Sequence, residues 1–227
     1  MTSAPPGAPD RRSLQSWLAP WGLLPPPRDR AGAAVLMVLR EGRDGAEVLL
    51  IERAVRPGRS GSGQVGFPGG HVEPDDETLR ATALRECEEE VGLSAAHLRE
   101  LPRYVGTRYA SAFGLLVAIF AAPLAPFAPA PTARDPREVA STFWLPRSAL
   151  EVTRMEPRET LFGRYPMPSA VYEGHVVWGF TRRVLREFFG LPREPLYDPR
   201  QPPGSRDRHG AAPVSPGHGP KRPTIGI

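Results

Sequence analysis

Cysteine and lysine are almost absent from this chain of 227 residues, in which Cys87 is the only cysteine and Lys221 the only lysine. A single cysteine excludes a disulfide bond within the chain and is typical of a reducing compartment. No apolar run approaches the roughly 18 residues of a membrane-spanning helix. Residues 1–27 also lack the basic start and apolar core of a secretory signal. The sequence therefore predicts a cytoplasmic protein without a membrane partner.

Charge of one sign is not in large excess, since 29 basic residues face 25 acidic ones for a net charge of +4. Most of the surplus lies in residues 198–227, where five cations and two anions leave +3. Arginine supplies 28 of the 29 basic residues in a chain rich in Ala, Pro and Gly, a pattern typical of codon bias. Basic tails can bind phosphate backbones, but a solvated tail is the favoured interpretation. No nucleic-acid partner is predicted.

Proline is plentiful, with 29 residues, and much of this excess lies at the two ends. Residues 1–27 contain seven prolines and residues 195–227 contain eight. Segments of this composition bury little apolar surface. We therefore expect a Pro-rich N-terminal extension over residues 1–30, one domain over residues 31–193, and a disordered Pro/Gly/Arg-rich tail over residues 194–227.

Apolar periodicity predicts a mixture of strands and helices. Two apolar runs joined through Asp44-Gly45 indicate a β-hairpin. A helix is expected from about residue 77 to residue 91, capped by Asp75 or Asp76 and ended by Gly92. Further strands are expected at residues 65–67, 104–109, 115–121, 142–145 and 176–178, with a last helix at residues 181–189. Because the elements do not alternate regularly, the pattern favours an α+β fold with helices packed on a mixed sheet.

The central helix carries the residues with the clearest chemistry, since residues 85–93 read R-E-C-E-E-E-V-G-L. On a helix, Glu86, Glu89 and Glu90 stand at positions i, i+3 and i+4 and share one face. Like charges at this spacing destabilise an isolated helix, and a bound divalent cation would relieve the repulsion. Carboxylate ligands favour Mg²⁺ or Mn²⁺. A bare acidic motif of this length more often marks a solvated helix face.

The wider pattern of residues 70–93 resembles the Nudix box of the Nudix hydrolase superfamily, G-x5-E-x7-R-E-U-x-E-E-x-G-U, where U is aliphatic or small and apolar. The chain departs from it at Cys87, in a U position, and by one extra residue after Gly70. The insertion leaves open whether Asp76 or Glu77 takes the first acidic position. The resemblance implies a Nudix-type α/β/α sandwich with a mixed β-sheet.

The same resemblance implies hydrolysis of a phosphoanhydride by metal-assisted attack of water. The implied catalytic residues and ligands of Mg²⁺ or Mn²⁺ are Glu86, Glu89 and Glu90. Arg85 is expected to orient these glutamates through an i,i+4 ion pair with Glu89. Glu138 is a candidate further metal ligand or general base, and a solvent-facing loop carboxylate is an equally good interpretation.

Residues 49–70 are similar to a second motif, which belongs to the coenzyme A diphosphatases of the superfamily: L-L-T-x-R-S/A-x3-R-x3-G-x3-F-P-G-G. The chain has Ile51 where threonine is usual, and four residues rather than three between Ala54 and Arg59. The similarity implies cleavage of coenzyme A or acyl-CoA to 4′-phosphopantetheine, or its acyl form, and adenosine 3′,5′-bisphosphate. The candidate substrate-binding residues are Arg53, Arg59, Gly69 and Gly70, since guanidinium groups suit phosphates and glycine lets the backbone approach them.

Two alternatives stay open at this point. A Nudix hydrolase of another nucleoside diphosphate derivative, such as ADP-ribose, fits the same box. A non-catalytic Nudix domain that binds nucleotides or a protein partner is the other, although it would not need the full set of glutamates. The sequence also leaves the oligomeric state open, a homodimer included.

Overall fold

The structure, a computed structural model, describes residues 12–22, 24–56, 63–111, 113–160 and 163–192. These ranges contain three α-helices: α1 (Leu14–Leu18), α2 (Leu79–Val91) and α3 (Gly179–Phe188). They also contain ten strands: β1 (Ala33–Gly42), β2 (Gly45–Arg53), β3 (Val65–Gly66), β4 (Gly69–His71), β5 (Arg103–Ala110), β6 (Leu115–Pro123), β7 (Val139–Pro146), β8 (Arg154–Thr160), β9 (Gly163–Tyr172) and β10 (His175–Trp178). Among the helices described, none has the length and apolar composition that a membrane crossing requires.

Seven of the strands form one mixed sheet. Its main order is β3-β2-β1-β6-β5, with β4 paired to β1 and β7 paired to β2. Strand β1 runs parallel to β6, whereas the β1–β2 and β5–β6 pairs are antiparallel. The predicted hairpin is confirmed: β1 and β2 meet at a turn after which Gly45 adopts a φ of 120°, a conformation that favours glycine.

Helices cover both faces of this sheet because β1 is apolar on both sides. Leu36 and Val38 pack in the cluster that contains the buried residues of α2. Met37 and Leu39 point the other way, into the cluster formed with α1 and α3. A continuous apolar strand of this kind is typical of a sheet buried on both faces. The predicted fold class, an α/β/α sandwich with a mixed sheet, is confirmed.

Helix α1 belongs to the core although it lies within the expected N-terminal extension. Ser13 caps it, since its side chain accepts a hydrogen bond from the Ser16 amide. Leu14, Trp17 and Leu18 are buried in the core cluster on the α3 face. The ring of Trp17 meets that of Phe189 edge-on, with centroids 5.1 Å apart. The expected boundary at residue 31 therefore does not separate this helix from the domain. Residues 1–11 of the predicted extension and residues 194–227 of the predicted tail lie outside the described residues.

We expect the change Leu18→Ala to lower the free energy of unfolding by about 2–5 kcal/mol, because it opens a cavity at a fully buried position. Denaturant titration of the full chain measures the loss. The matched control is Leu24→Ala, since Leu24 is 88% exposed and its truncation should change stability by less than about 0.5 kcal/mol. Equal stabilities of the two variants would show that α1 does not contribute to the core.

A second sheet of three strands, ordered β10-β9-β8, was not predicted in full. The sequence indicated β10 but not β8 and β9, which contain Pro157, Pro166 and Pro168, residues that are unusual within strands. Pro157 and Pro166 are direct cross-strand partners near the end of the hairpin. There β9 pairs only with β8, since β10 reaches no further than Ser169. Proline has no backbone N–H to donate, and it is tolerated in such a two-stranded ribbon where its nitrogen faces the unpaired side.

Candidate active site

Helix α2 is positioned by its two ends and by its apolar face. Thr78 caps the N-terminus by accepting a hydrogen bond from the Ala81 amide at 3.1 Å, so the predicted cap at Asp75 or Asp76 is wrong. Gly92 ends the helix in the left-handed conformation with a φ of 76°, as predicted. Ala83 and Cys87 are fully buried against the sheet. Burial also raises the pKa of the Cys87 thiol, which suits a core residue and not a nucleophile.

Glu90 is the most deeply buried of the three glutamates, at 6% exposure. Its Oε2 accepts a hydrogen bond from the Gly69 amide at 2.9 Å, and its Oε1 lies 3.3 Å from Nη1 of Arg53. Burial raises the pKa of Glu90 to about 7, although Arg53 and the Gly69 amide both act in the opposite direction. These contacts join the C-terminal half of α2 to strands β2 and β4.

Arg53 contacts both Glu90 of α2 and Gly69 of β4. Besides its ion pair with Glu90, its Nη2 donates a hydrogen bond to the Gly69 carbonyl oxygen at 2.8 Å. The side chain keeps 35% of its surface exposed. Its guanidinium is therefore engaged with protein groups in this structure, and contact with a substrate phosphate stays a prediction. Arg59, the other predicted phosphate-binding arginine, lies outside the described residues.

Gly69 and Gly70, both predicted site residues, allow strand β4 to pass close to β1 and to helix α2. Gly69 has a φ of 152°, and a Cβ there would lie 2.5 Å from the carbonyl oxygen of Ala34. A Cβ at Gly70 would lie 2.3 Å from Oε1 of Glu86. The Glu86 carboxylate thus rests against the Gly70 backbone, in space that any side chain would fill. Burial raises the pKa of Glu86, with Arg85 opposing the rise.

Arg85 joins four parts of the site. Its Nε and Nη2 hold Asp76 in a two-point contact at 3.0 and 3.1 Å, and its Nη1 lies 3.1 Å from Glu86 and 3.0 Å from Glu89. Its Nη2 also donates to the His71 carbonyl oxygen at 3.0 Å. The i,i+4 pair with Glu89 expected from the sequence is present in the structure.

Asp76 is the acidic partner that the sequence left undecided. It is 5% exposed, and its Oδ2 also accepts a hydrogen bond from the Glu73 amide at 2.8 Å. The hydrogen bonds from Arg85 lower the pKa of Asp76 to about 2. Glu77 makes no such contact among the hydrogen bonds and ion pairs of the described residues. The spacing allowed either residue, because five residues separate Gly70 from Asp76 and seven separate Glu77 from Arg85.

Glu138 lies in the loop before β7 and keeps 51% of its side chain exposed. Its backbone carbonyl accepts a hydrogen bond from the Ala54 amide at 2.9 Å, which places it next to the end of β2. Its Oε1 lies 3.9 Å from Nη1 of Arg56. Its charge also contributes to the raised pKa of Glu90. The structure therefore brings Glu138 near the glutamates of α2 and leaves its role a prediction.

Comparison with known proteins identifies this arrangement. The family model described as the NUDIX domain matches residues 29–165, which is more than half of the chain. The chain belongs to the Nudix hydrolase family. Its relatives include the uncharacterized Nudix hydrolase NudL of Yersinia pestis (strain Pestoides F) and that of Yersinia pseudotuberculosis serotype O:1b (strain IP 31758). Each is 33% identical over 145 residues, which are 61% of this chain and 69% of the relative.

Solved Nudix structures are similar to parts of the chain. The MutT protein from Methanosarcina mazei Go1 covers 70% of this chain over 91% of its own, with 17% identity and a TM-score of 0.45. The Ap4A hydrolase of C. elegans, in a binary complex, covers 53% of this chain over 84% of its own, with 22% identity and a TM-score of 0.42.

Nudix hydrolases generally use divalent metals such as Mg²⁺ or Mn²⁺. The donor type at this site fits such a metal, because Glu86, Glu89 and Glu90 offer only carboxylate oxygens. The charge of Glu89 raises the pKa of Glu86, and that of Glu86 raises the pKa of Glu90, so the three groups repel one another. A bound cation would relieve that repulsion.

The three carboxylates are not gathered into a metal cage in this structure. Among the described residues, no group of three His, Cys, Asp or Glu side chains is placed to hold a metal ion. In this structure Glu90 pairs with Arg53, and Glu89 pairs with Arg85.

Proposed function

We propose that this Nudix hydrolase cleaves the diphosphate of coenzyme A or acyl-CoA. The products are 4′-phosphopantetheine, or its acyl form, and adenosine 3′,5′-bisphosphate. The observation that carries the proposal is the contact between the two motifs. Arg53, from the segment similar to coenzyme A diphosphatases, binds Glu90 of the Nudix box and the carbonyl of Gly69, which directly precedes the box. This contact supports the proposal because it joins that segment to the glutamates of α2.

Within this proposal, Glu86, Glu89 and Glu90 hold Mg²⁺ or Mn²⁺. When bound, the metal polarises the diphosphate and neutralises charge that develops as the anhydride breaks. The oxygen of water forms the new P–O bond and its proton passes to the general base. The oxygen of the departing phosphate takes the electron pair of the broken P–O bond. Glu138 is the proposed general base or further ligand, because it is exposed in the loop before β7 and its charge acts on Glu90.

The remaining residues position these groups. Arg85 orients Glu86 and Glu89 from one side, and Arg53 orients Glu90 from the other. Gly69 and Gly70 let the backbone approach the substrate phosphates. Arg53 and Arg59 are the proposed contacts to those phosphates, for which a guanidinium fork suits the oxygen geometry. Because Arg53 also pairs with Glu90, its loss would disturb both functions.

A substrate panel tests the proposal directly. With purified full-length chain and Mg²⁺ or Mn²⁺, we expect kcat/KM for coenzyme A to exceed that for ADP-ribose by at least about tenfold. NADH and deoxynucleoside triphosphates complete the panel, with products resolved by chromatography. The double variant Glu89→Gln/Glu90→Gln controls for contaminating hydrolases. If ADP-ribose or a triphosphate is the better substrate, the coenzyme A assignment is wrong while the family assignment stands.

A further inference from the structure

A pair of exposed apolar side chains lies on strands β5 and β6 of the main sheet. Tyr109 of β5 and Leu116 of β6 are direct cross-strand partners. Tyr109 is 55% exposed and Leu116 is 45% exposed. Side chains in this relation contact one another and form one continuous surface. Because these two large apolar side chains are exposed side by side, packing of the core does not account for them.

The alternation of the strands shows which face the pair occupies. The neighbours of the pair point toward α3: Arg108 is bonded to Glu187 of that helix, and Val117 is buried in a cluster that includes Phe180. Because successive side chains of a strand point to opposite faces, Tyr109 and Leu116 lie on the α2 face. Helix α2, which carries the three glutamates, packs on this face of the sheet.

The register of the sheet gives the separation between the pair and the glutamates. Gly70, against which Glu86 rests, is level with Ala34 of β1, and Ala34 is level with Ala118 of β6. Leu116 lies two residues before Ala118, or about 7 Å along the strand, and two strand spacings of about 4.8 Å separate it from β4. The resulting distance from Gly70 to Leu116 is about 12 Å.

Helix α2 leaves this part of the sheet open. Its N-terminal half covers the sheet at Phe120, over whose ring Arg80 lies at 5.8 Å. Phe120 is fully buried, whereas Leu116, four residues earlier on the same face, is not. The apolar pair is thus exposed on the α2 face of the sheet, about 12 Å by register from the Gly70 backbone on which Glu86 rests.

We propose that Tyr109 and Leu116 form the platform on which the nucleobase of the substrate stacks. This inference rests on the proposed function, in which the diphosphate is bound at α2. A ribose and a phosphate ester separate a base from the attacked anhydride, which suits the separation given by the register. A flat aromatic ring beside an aliphatic side chain favours stacking of a planar base.

A second copy of the chain is a poorer occupant of this surface. A stable dimer buries about 800 Å² on each partner, far more than the exposed parts of Tyr109, Leu116 and Phe113 of the β5–β6 turn provide. A flexible arm, such as the pantetheine of coenzyme A, would lose more conformational freedom than a rigid base on the same surface. The base is therefore the occupant to which the proposal commits.

Direct binding of ADP and of methylenediphosphonate separates the platform from the diphosphate site. By calorimetry on the full chain with Mg²⁺, Tyr109→Ala should weaken ADP binding by about tenfold or more. Methylenediphosphonate, which has no base, should bind both proteins equally. Tyr109→Phe keeps the ring and should bind ADP within about threefold of the parent. Phe127→Ala is the matched control, because Phe127 is 77% exposed in the loop after the opposite end of β6.

Each contrary result overturns the inference. Unchanged ADP affinity in Tyr109→Ala shows that the base does not stack there. An equal loss of affinity for ADP and for methylenediphosphonate shows a general effect on the site. A shift in oligomeric state by light scattering, with ADP affinity unchanged, shows an interface between copies. Because ADP binding is measured without turnover, failure of the coenzyme A proposal leaves this test intact.

Discussion

Glu90→Gln is expected to lower kcat by at least about 10²-fold with any substrate that the enzyme hydrolyses. The substitution keeps the shape of the side chain and removes its charge. It therefore removes a proposed metal ligand and the partner of Arg53 together, while an amide oxygen can still accept the hydrogen bond from Gly69. Steady-state kinetics with Mg²⁺, alongside a direct Mn²⁺ titration, measure the two consequences.

The control for this change lies on the same helix. Glu88 is exposed and directly precedes Glu89 and Glu90 without sharing the helix face of Glu86 and Glu90. Glu88→Gln removes the same charge from α2 and should keep kcat within about twofold of the parent. Near-normal turnover in the double variant Glu89→Gln/Glu90→Gln would contradict the catalytic interpretation and favour a domain that only binds nucleotides.

Arg85→Ala is expected to reduce both catalysis and stability. Arg85 is the side chain that holds Glu86 and Glu89, so its loss should lower kcat by about 10–100-fold, as is typical when a group that orients metal ligands is removed. It also leaves the carboxylate of Asp76 without its cation, at a cost of about 2–3 kcal/mol, in line with the lowering of its pKa to about 2. Kinetics well below the melting transition and denaturant titration measure the two effects separately.

A double variant distinguishes positioning from simple loss of stability. Asp76→Asn combined with Arg85→Ala removes both charges of the buried pair and should recover part of the lost stability. It does not restore the contacts to Glu86 and Glu89, so kcat should stay low. Arg85→Lys retains the charge without the planar fork and should fall between the parent and Arg85→Ala. Recovery of kcat together with stability would show that Arg85 acts only through folding.

Local signals in the sequence were sufficient for most of the elements around the site. The turn at Asp44-Gly45, the helix ended by Gly92 and the strands of the main sheet are local patterns. Strands β8 and β9 were not predicted, because they contain prolines and a propensity argument does not show where a strand has a free edge. The cap of α2 was assigned two to three residues early because Asp76 is used by Arg85, and Thr78 caps the helix instead.

Helical spacing and family motifs are properties of neighbouring residues, and they were enough to assign this chain to the Nudix type and to place three glutamates on one helix face. The partners of these residues are visible only in the folded chain: Arg53 on Glu90, Asp76 on Arg85, α1 in the core, and the exposed pair Tyr109 and Leu116 on the α2 face. These contacts join segments far apart in the chain. Their geometry follows from strand register and burial, which no local pattern encodes.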